Sequence, residues 1–78
     1  MEIKAGQIYR HFKGAVYEII TVAWHTESGE PLVVYGDSDD RMWARPLSNF
    51  TSLVDRAKYP DAGQTYRFEQ ISSGGEDS

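Results

Sequence analysis

Short stretches in which apolar and polar residues alternate are separated by turn-forming residues along most of the chain. Gln7–Phe12, Val16–Thr26, Leu32–Tyr35, Met42–Arg45 and Thr65–Gln70 each read as a β-strand. Lys13-Gly14 supplies the first turn. Glu27-Ser28-Gly29-Glu30 supplies the second, with Gly29 free to take a positive φ. Asp37-Ser38-Asp39-Asp40 forms the third, where Asp and Ser side chains can bond their own backbone. Strands joined this tightly run antiparallel, so the pattern predicts a meander.

The second stretch is long, and its alternation changes phase. Val16, Ile20, Val22 and Trp24 share one phase, which Glu18 interrupts, while Tyr17 and Ile19 hold the other. A β-bulge near Ile20-Thr21 reconciles the two, and a strand of this length bends to serve both halves of a curled sheet. Leu47, Phe50, Leu53/Val54 and Ala57 recur at helical spacing. Ser48, Asn49, Thr51 and Ser52 are poor helix-interior residues. The expectation is one helical turn over Leu47–Phe50, followed by an irregular stretch. Residues 72–78 contain no apolar side chain and read as a disordered tail.

Composition supports the same class. Val, Ile, Thr, Phe, Tyr and Trp number 24, against 11 for Ala, Leu and Met, an excess that favours pleated surfaces over helix packing. The expected helix content is about a tenth of residues or less, below the ~30% usual in globular proteins. A chain of 78 residues makes one small domain, with no room for separate catalytic and cofactor domains. With no cysteine there is no disulfide framework, thiolate metal site or cysteine nucleophile. No apolar run approaches the ~20 residues that span a bilayer, and the N-terminus lacks the apolar core of a secretory signal. The chain therefore reads as cytosolic. Its formal charge of −4 owes two units to Glu76 and Asp77, so the body is closer to neutral. General nucleic-acid affinity, which needs clustered Lys and Arg, is disfavoured.

Five ordered blocks carry a family resemblance: Tyr9-Arg10-His11-Phe12-Lys13-Gly14 with Tyr17, His25-Thr26-Glu27-Ser28, Pro31-Leu32-Val33-Val34-Tyr35, Met42-Trp43-Ala44-Arg45-Pro46-Leu47, and Arg67-Phe68-Glu69. Together they resemble the small bacterial family called domain of unknown function 1653, over roughly Gly6 to Phe50 and the Arg67-Phe68-Glu69 ending. The Asp37–Asp40 turn and the Asp55–Thr65 connection depart from its pattern. The resemblance implies an SH3-like barrel and assigns no biochemical role.

Candidate chemistry is sparse. His25 and Glu27, two apart, point the same way on a strand, but a zinc site needs three or four convergent ligands. With His11 and Glu18 they are the only metal candidates, and the competing reading has His25 bonded to a turn carboxylate, ordering the hairpin end. No Ser, Thr or Lys stands in a recognisable nucleophile–base–orienter set, so no catalytic residue is assigned. Arg10, His11 and Lys13 bracket Phe12, a short form of the basic–aromatic interleave of single-strand nucleic-acid readers. Trp43, if it points inward, shares a face with Arg45. That pair, with His11 and Tyr35 from neighbouring strands, would suit a polar or acidic peptide. The competing reading makes Trp43 core and pairs Arg45 with Glu18 or Glu27.

The sequence thus predicts an all-β domain over residues 1–71, a small SH3-like five-stranded antiparallel barrel with one short helical turn. The alternative is an α+β domain with a helix near residues 47–58. The function expected is a non-catalytic binding module for a protein or peptide partner, using His11, Tyr35, Trp43 and Arg45. A nucleic-acid-associated module is the alternative, and a small-molecule or metal-dependent enzyme the third. No cofactor, metal or membrane is called for.

Overall fold

The computed structural model describes residues 3–73. Five strands form one antiparallel sheet: β1 (Ile8–His11), β2 (Val16–Trp24), β3 (Pro31–Gly36), β4 (Met42–Pro46) and β5 (Phe68–Ser72), in the order β4-β3-β2-β1-β5. The first four make the expected meander, and β5 returns to pair with β1. The fold is all-β. Among the described residues no ladder joins the two edge strands, β4 and β5, so hydrogen bonds do not close the sheet into the expected barrel.

The phase change in β2 is a bulge. Ile19 pairs with Tyr35 and Thr21 with Val34, leaving Ile20 as the extra residue. Before the bulge Ile19 faces inward opposite buried Tyr35; after it, Val22 faces inward opposite buried Val33. One inserted residue lets an odd-numbered and an even-numbered set of side chains share one core.

The helical element is α1 (Leu47–Phe50), four residues long. The longer helix of the α+β alternative does not form. The Thr51 hydroxyl donates to the Leu47 carbonyl at 2.9 Å and the Ser52 hydroxyl to the Asn49 carbonyl at 2.6 Å. The Ser52 amide also donates to the Asn49 carbonyl, at 3.1 Å, so Ser52 takes up the carbonyl that a continuing helix would give to residue 53. Past α1 the chain pairs with itself: the Arg67 amide donates to the Ser52 carbonyl at 2.8 Å and the Val54 amide to the Thr65 carbonyl at 2.9 Å. Thr65–Arg67, expected to begin the last strand, is thereby committed to the 52–54 segment. Glu69 reinforces this by accepting the amides of Thr65 and Tyr66 at 3.2 and 3.3 Å. β5 therefore starts at Phe68 and runs on to Ser72, which pairs with Ile8. Residues 74–78 of the expected tail lie outside the described residues.

The core is small and aromatic. Tyr9, Ile19, Val33, Tyr35, Phe50 and Phe68 form it, with Ile3, Tyr17 and Leu47 packed against its edge. Phe50 from α1 and Phe68 from β5 stack with ring centroids 4.1 Å apart and planes 9° from parallel. Tyr9 meets Phe50 edge-on at 5.2 Å, and Tyr35 lies 5.7 Å from both rings. Each of these rings comes from a different element, so the cluster ties β1, β3, α1 and β5 together.

Phe68→Ala should lower unfolding free energy by about 3–5 kcal/mol, the usual loss for a buried phenylalanine. Against the ~5–15 kcal/mol of a typical domain, and the lower end expected for one this small, that leaves a marginal fold. Urea denaturation checks it; a loss below ~1 kcal/mol would mean that the stack does not hold the sheet edges together.

Candidate anion-binding site

At one end of the core the side chains change from aromatic to cationic. Arg45 leaves β4 opposite Val33, on the inward face. Its Nε donates to the Tyr35 hydroxyl at 3.0 Å and its Nη1 to Asn49 Oδ1 at 2.6 Å, and the guanidinium carbon lies 5.2 Å from the centre of the Phe68 ring. The ion pair with Glu18 or Glu27 that the competing reading gave Arg45 is not formed: Glu18 stands in the row of Gly36 and Met42 on the other face, and neutral oxygens of Tyr35 and Asn49 take up the guanidinium instead. Arg67 follows the same rule: its Nε donates to Ser52 Oγ at 3.0 Å, while that hydroxyl donates to the Asn49 carbonyl. The Phe12 amide donates to the Arg67 carbonyl at 2.9 Å, which fixes Arg67 beside the end of β1.

His11 sits between these cations. Its ring lies 4.9 Å from Phe68 and 4.6 Å from Phe12, and its Nδ1 accepts the Lys13 amide at 3.1 Å. Burial, followed by the positive charges of Arg45, Arg67 and Lys13, pushes the His11 pKa below its ordinary value. Lys13 continues the strip. Its ammonium lies 5.0 Å from the Tyr59 ring centre, beside a hollow of about 370 Å³ lined by Phe12, Lys58 and Tyr59 among others. A hydrogen bond from Lys13, and its charge, lower the Tyr59 phenol pKa. The site is a cationic rim on an aromatic floor. Among the described residues, the cation–carboxylate contacts within 4 Å are those of Arg41 with Asp37 and Asp39, so Arg45, Arg67 and Lys13 keep uncompensated charge.

Of the residues singled out from the sequence, His11, Tyr35 and Arg45 come together here. Trp43 does not. It shares their face by register, opposite Tyr35, but stands at the sheet edge and is 46% exposed rather than core. Its indole N–H donates to Asp37 Oδ2 at 2.8 Å, and the Arg41 guanidinium lies 5.6 Å from its ring. Asp37 also accepts the amides of Asp39 and Arg41 through Oδ1, so one carboxylate organises the whole β3–β4 turn. The Trp43 hydrogen bond, then those amides and the Arg41 charge, hold the Asp37 carboxyl below the ordinary carboxylate range.

His25 and Glu27 lie at the opposite hairpin. The partner of His25 is backbone rather than a carboxylate: Nδ1 accepts the amides of Glu27 and Ser28 at 3.1 and 3.3 Å. Gly29 closes that turn with φ of 74°. Among the described residues no group of three or more His, Asp or Glu side chains is placed to hold a metal ion.

Arg67, Asn49 and Ser52 were not singled out from sequence. Tyr66-Arg67-Phe68 interleaves basic and aromatic residues as the Arg10–Lys13 stretch does and was the available signal. Asn49 and Ser52 carried only a negative one, as poor helix formers, although the groups that break the helix are those that orient the arginines.

Fold and site together define a small all-β domain whose aromatic core opens onto a cationic rim. The chain belongs to the family described as Protein of unknown function (DUF1653), whose model matches residues 7–70. A crystal structure of a protein of that family from Bordetella bronchiseptica is similar over 97% of this chain and 96% of its own, with 29% identity and a TM-score of 0.73. No curated protein matches the chain.

The lowered His11 pKa gives a pH dependence with a definite sign. The folded value lies below the unfolded one, so the unfolded chain binds the proton first. The stabilising contribution of neutral His11 is complete above the ordinary ~6.5 and is lost as pH falls through the folded value. The His11 ring should titrate by NMR with a midpoint below ~6.5. The melting temperature should fall between about pH 7.5 and about pH 5, and His11→Gln should flatten that fall. A midpoint above ~6.5 would place a carboxylate, not cations, beside the ring.

Proposed function

We propose that the domain is a non-catalytic cytoplasmic binding module that takes an acidic segment of a partner protein on its cationic rim. The observation that carries this reading is the pair of half-buried arginines, Arg45 and Arg67. Both are oriented by neutral oxygens and neither has a carboxylate within 4 Å among the described residues, in a chain that has 12 acidic residues and 8 basic ones. A guanidinium held in this way keeps its charge and free N–H groups for a ligand carboxylate. Its side-chain ordering is complete before binding, which reduces the entropic penalty of association. His11 offers Nε2 between them, since Nδ1 is engaged by Lys13.

An acidic peptide suits this rim better than single-stranded nucleic acid. Base stacking needs free ring faces. Here Phe68 is buried against Phe50, Lys13 sits over Tyr59, and His11 lies on Phe12. A cytoplasmic setting is consistent with a fold that owes nothing to disulfides.

Fluorescence anisotropy with a labelled Asp/Glu-rich peptide and with a labelled single-stranded oligonucleotide tests the reading. The peptide should bind, and Arg67→Gln should weaken it by ~1–3 kcal/mol per folded molecule. Arg45→Ala should weaken binding by a similar amount and also lower stability by ~1–2 kcal/mol, because its two hydrogen bonds and its cover over Phe68 are lost. Binding of the oligonucleotide alone, or peptide binding that both variants leave unchanged, would overturn the assignment.

A further inference from the structure

The outward face of the sheet carries a second feature, independent of the cationic rim. Ile8, Glu18, Gly36 and Met42 are Cα partners across four strands and form one row. Glycine leaves that row without a side chain between Glu18 and Met42. The β2 bulge sets Ile20 against the gap: a Cβ at Gly36 would lie 3.7 Å from Ile20 Cδ1. The result is an open groove of about 590 Å³. Val16, Ile20 and Met42 line it and are 46%, 37% and 67% exposed. Apolar side chains gathered on a surface in this way mark an interaction site more often than scattered ones do.

The charges around the groove select its occupant. Glu18, Asp37 and Asp40 line it, with Arg41 as the only cation of the lining. Arg41 is already engaged by Asp37 at 3.4 Å and Asp39 at 3.3 Å. Among the described residues neither Glu18 nor Asp40 has a cation within 4 Å. We propose that this groove docks a short cationic amphipathic segment of a partner protein. Its apolar side chains fill the gap over Gly36, and its flanking Lys or Arg residues meet Glu18 and Asp40. Charge complementarity of this kind sets orientation and rejects acidic competitors. It also disfavours a second copy, since a two-fold contact through this face sets the same acidic groups against one another.

Gly36 makes the test clean. Its backbone is not among the positive-φ positions, and the contacts a Cβ would make there are ordinary ones, so the backbone accepts a Cβ without strain and the rest of an added side chain is directed at the groove. The probe is a fluorescein-labelled Lys-Lys-Leu-Ile-Leu-Lys-Lys peptide, with a control in which the three apolar residues are Ser. Gly36→Leu should weaken binding at least about tenfold with the melting temperature unchanged, and Glu18→Gln combined with Asp40→Asn should weaken it about three- to tenfold. Val16→Lys, at an exposed position, repeats the test should Gly36→Leu unfold the domain. Backbone amide shifts on binding should cluster at Ile8, Val16, Ile20 and Met42. Equal binding of the Ser control, or binding that survives both Gly36→Leu and Val16→Lys, would reduce the effect to diffuse charge attraction and overturn the proposal. So would a concentration-dependent dimer that Gly36→Leu abolishes, because it would give the groove to a second copy.

Discussion

The parallel stack of Phe50 on Phe68 is the contact on which the rest of this small domain depends. Phe50 belongs to the helical turn that follows one edge strand, and Phe68 begins the other edge strand. Among the described residues no backbone ladder runs between those edges. A sheet with two unpaired edges and so short a chain buries little surface by itself. Two rings at 4.1 Å bring the edges together, and Tyr9 and Tyr35 lock the pair from the strands between. The site depends on the same stack. Arg45 lies over Phe68, and His11 meets its edge, so both are held by a ring whose own place is fixed by Phe50.

A single inserted residue does comparable work on the other face. The bulge at Ile20 turns the inward set of β2 from Tyr17 and Ile19 to Val22, which keeps the core continuous along a bending strand. It also leaves Ile20 on the outside, leaning toward the glycine opposite. Bulges re-aim side chains at functional surfaces in many sheets, and here the same device that completes the interior shapes an external groove.

Charge is sorted by where neutral acceptors are available. On the inward rim, Tyr35, Asn49 and Ser52 orient the arginines without neutralising them. On the β3–β4 turn, Asp37 gathers an indole, two amides and Arg41, so this carboxylate is compensated within the turn, while among the described residues Asp40 has no cation within 4 Å. A chain of net charge −4 can therefore present a cationic surface, because net charge says nothing of where uncompensated groups stand.

Local rules in the sequence determined the meander, the bulge near Ile20, the single turn over Leu47–Phe50 and the tendency of His25 to sit at a hairpin end. Each follows from side-chain period, turn chemistry or helix-breaking residues acting within a few positions. The grouping of Tyr35 and Arg45 was also legible, because antiparallel register carries neighbouring strands' side chains to one face; His11, on β1 and beyond β2 from them, joins the pair only through the shared Phe68 ring. Only the tertiary structure decided that Trp43 stays at the edge, since that depended on Asp37 reaching it across the turn. It alone brought Arg67, Asn49 and Ser52 to the rim, through pairing of the 52–54 segment with 65–67, which no short-range pattern announces. It alone opened the gap at Gly36, where a missing side chain matters only once four strands set Ile8, Glu18 and Met42 in line with it. Period and turn chemistry act between neighbours in sequence, whereas a site is made by residues whose separation is fixed only when strands and helical turn have packed around the aromatic rings.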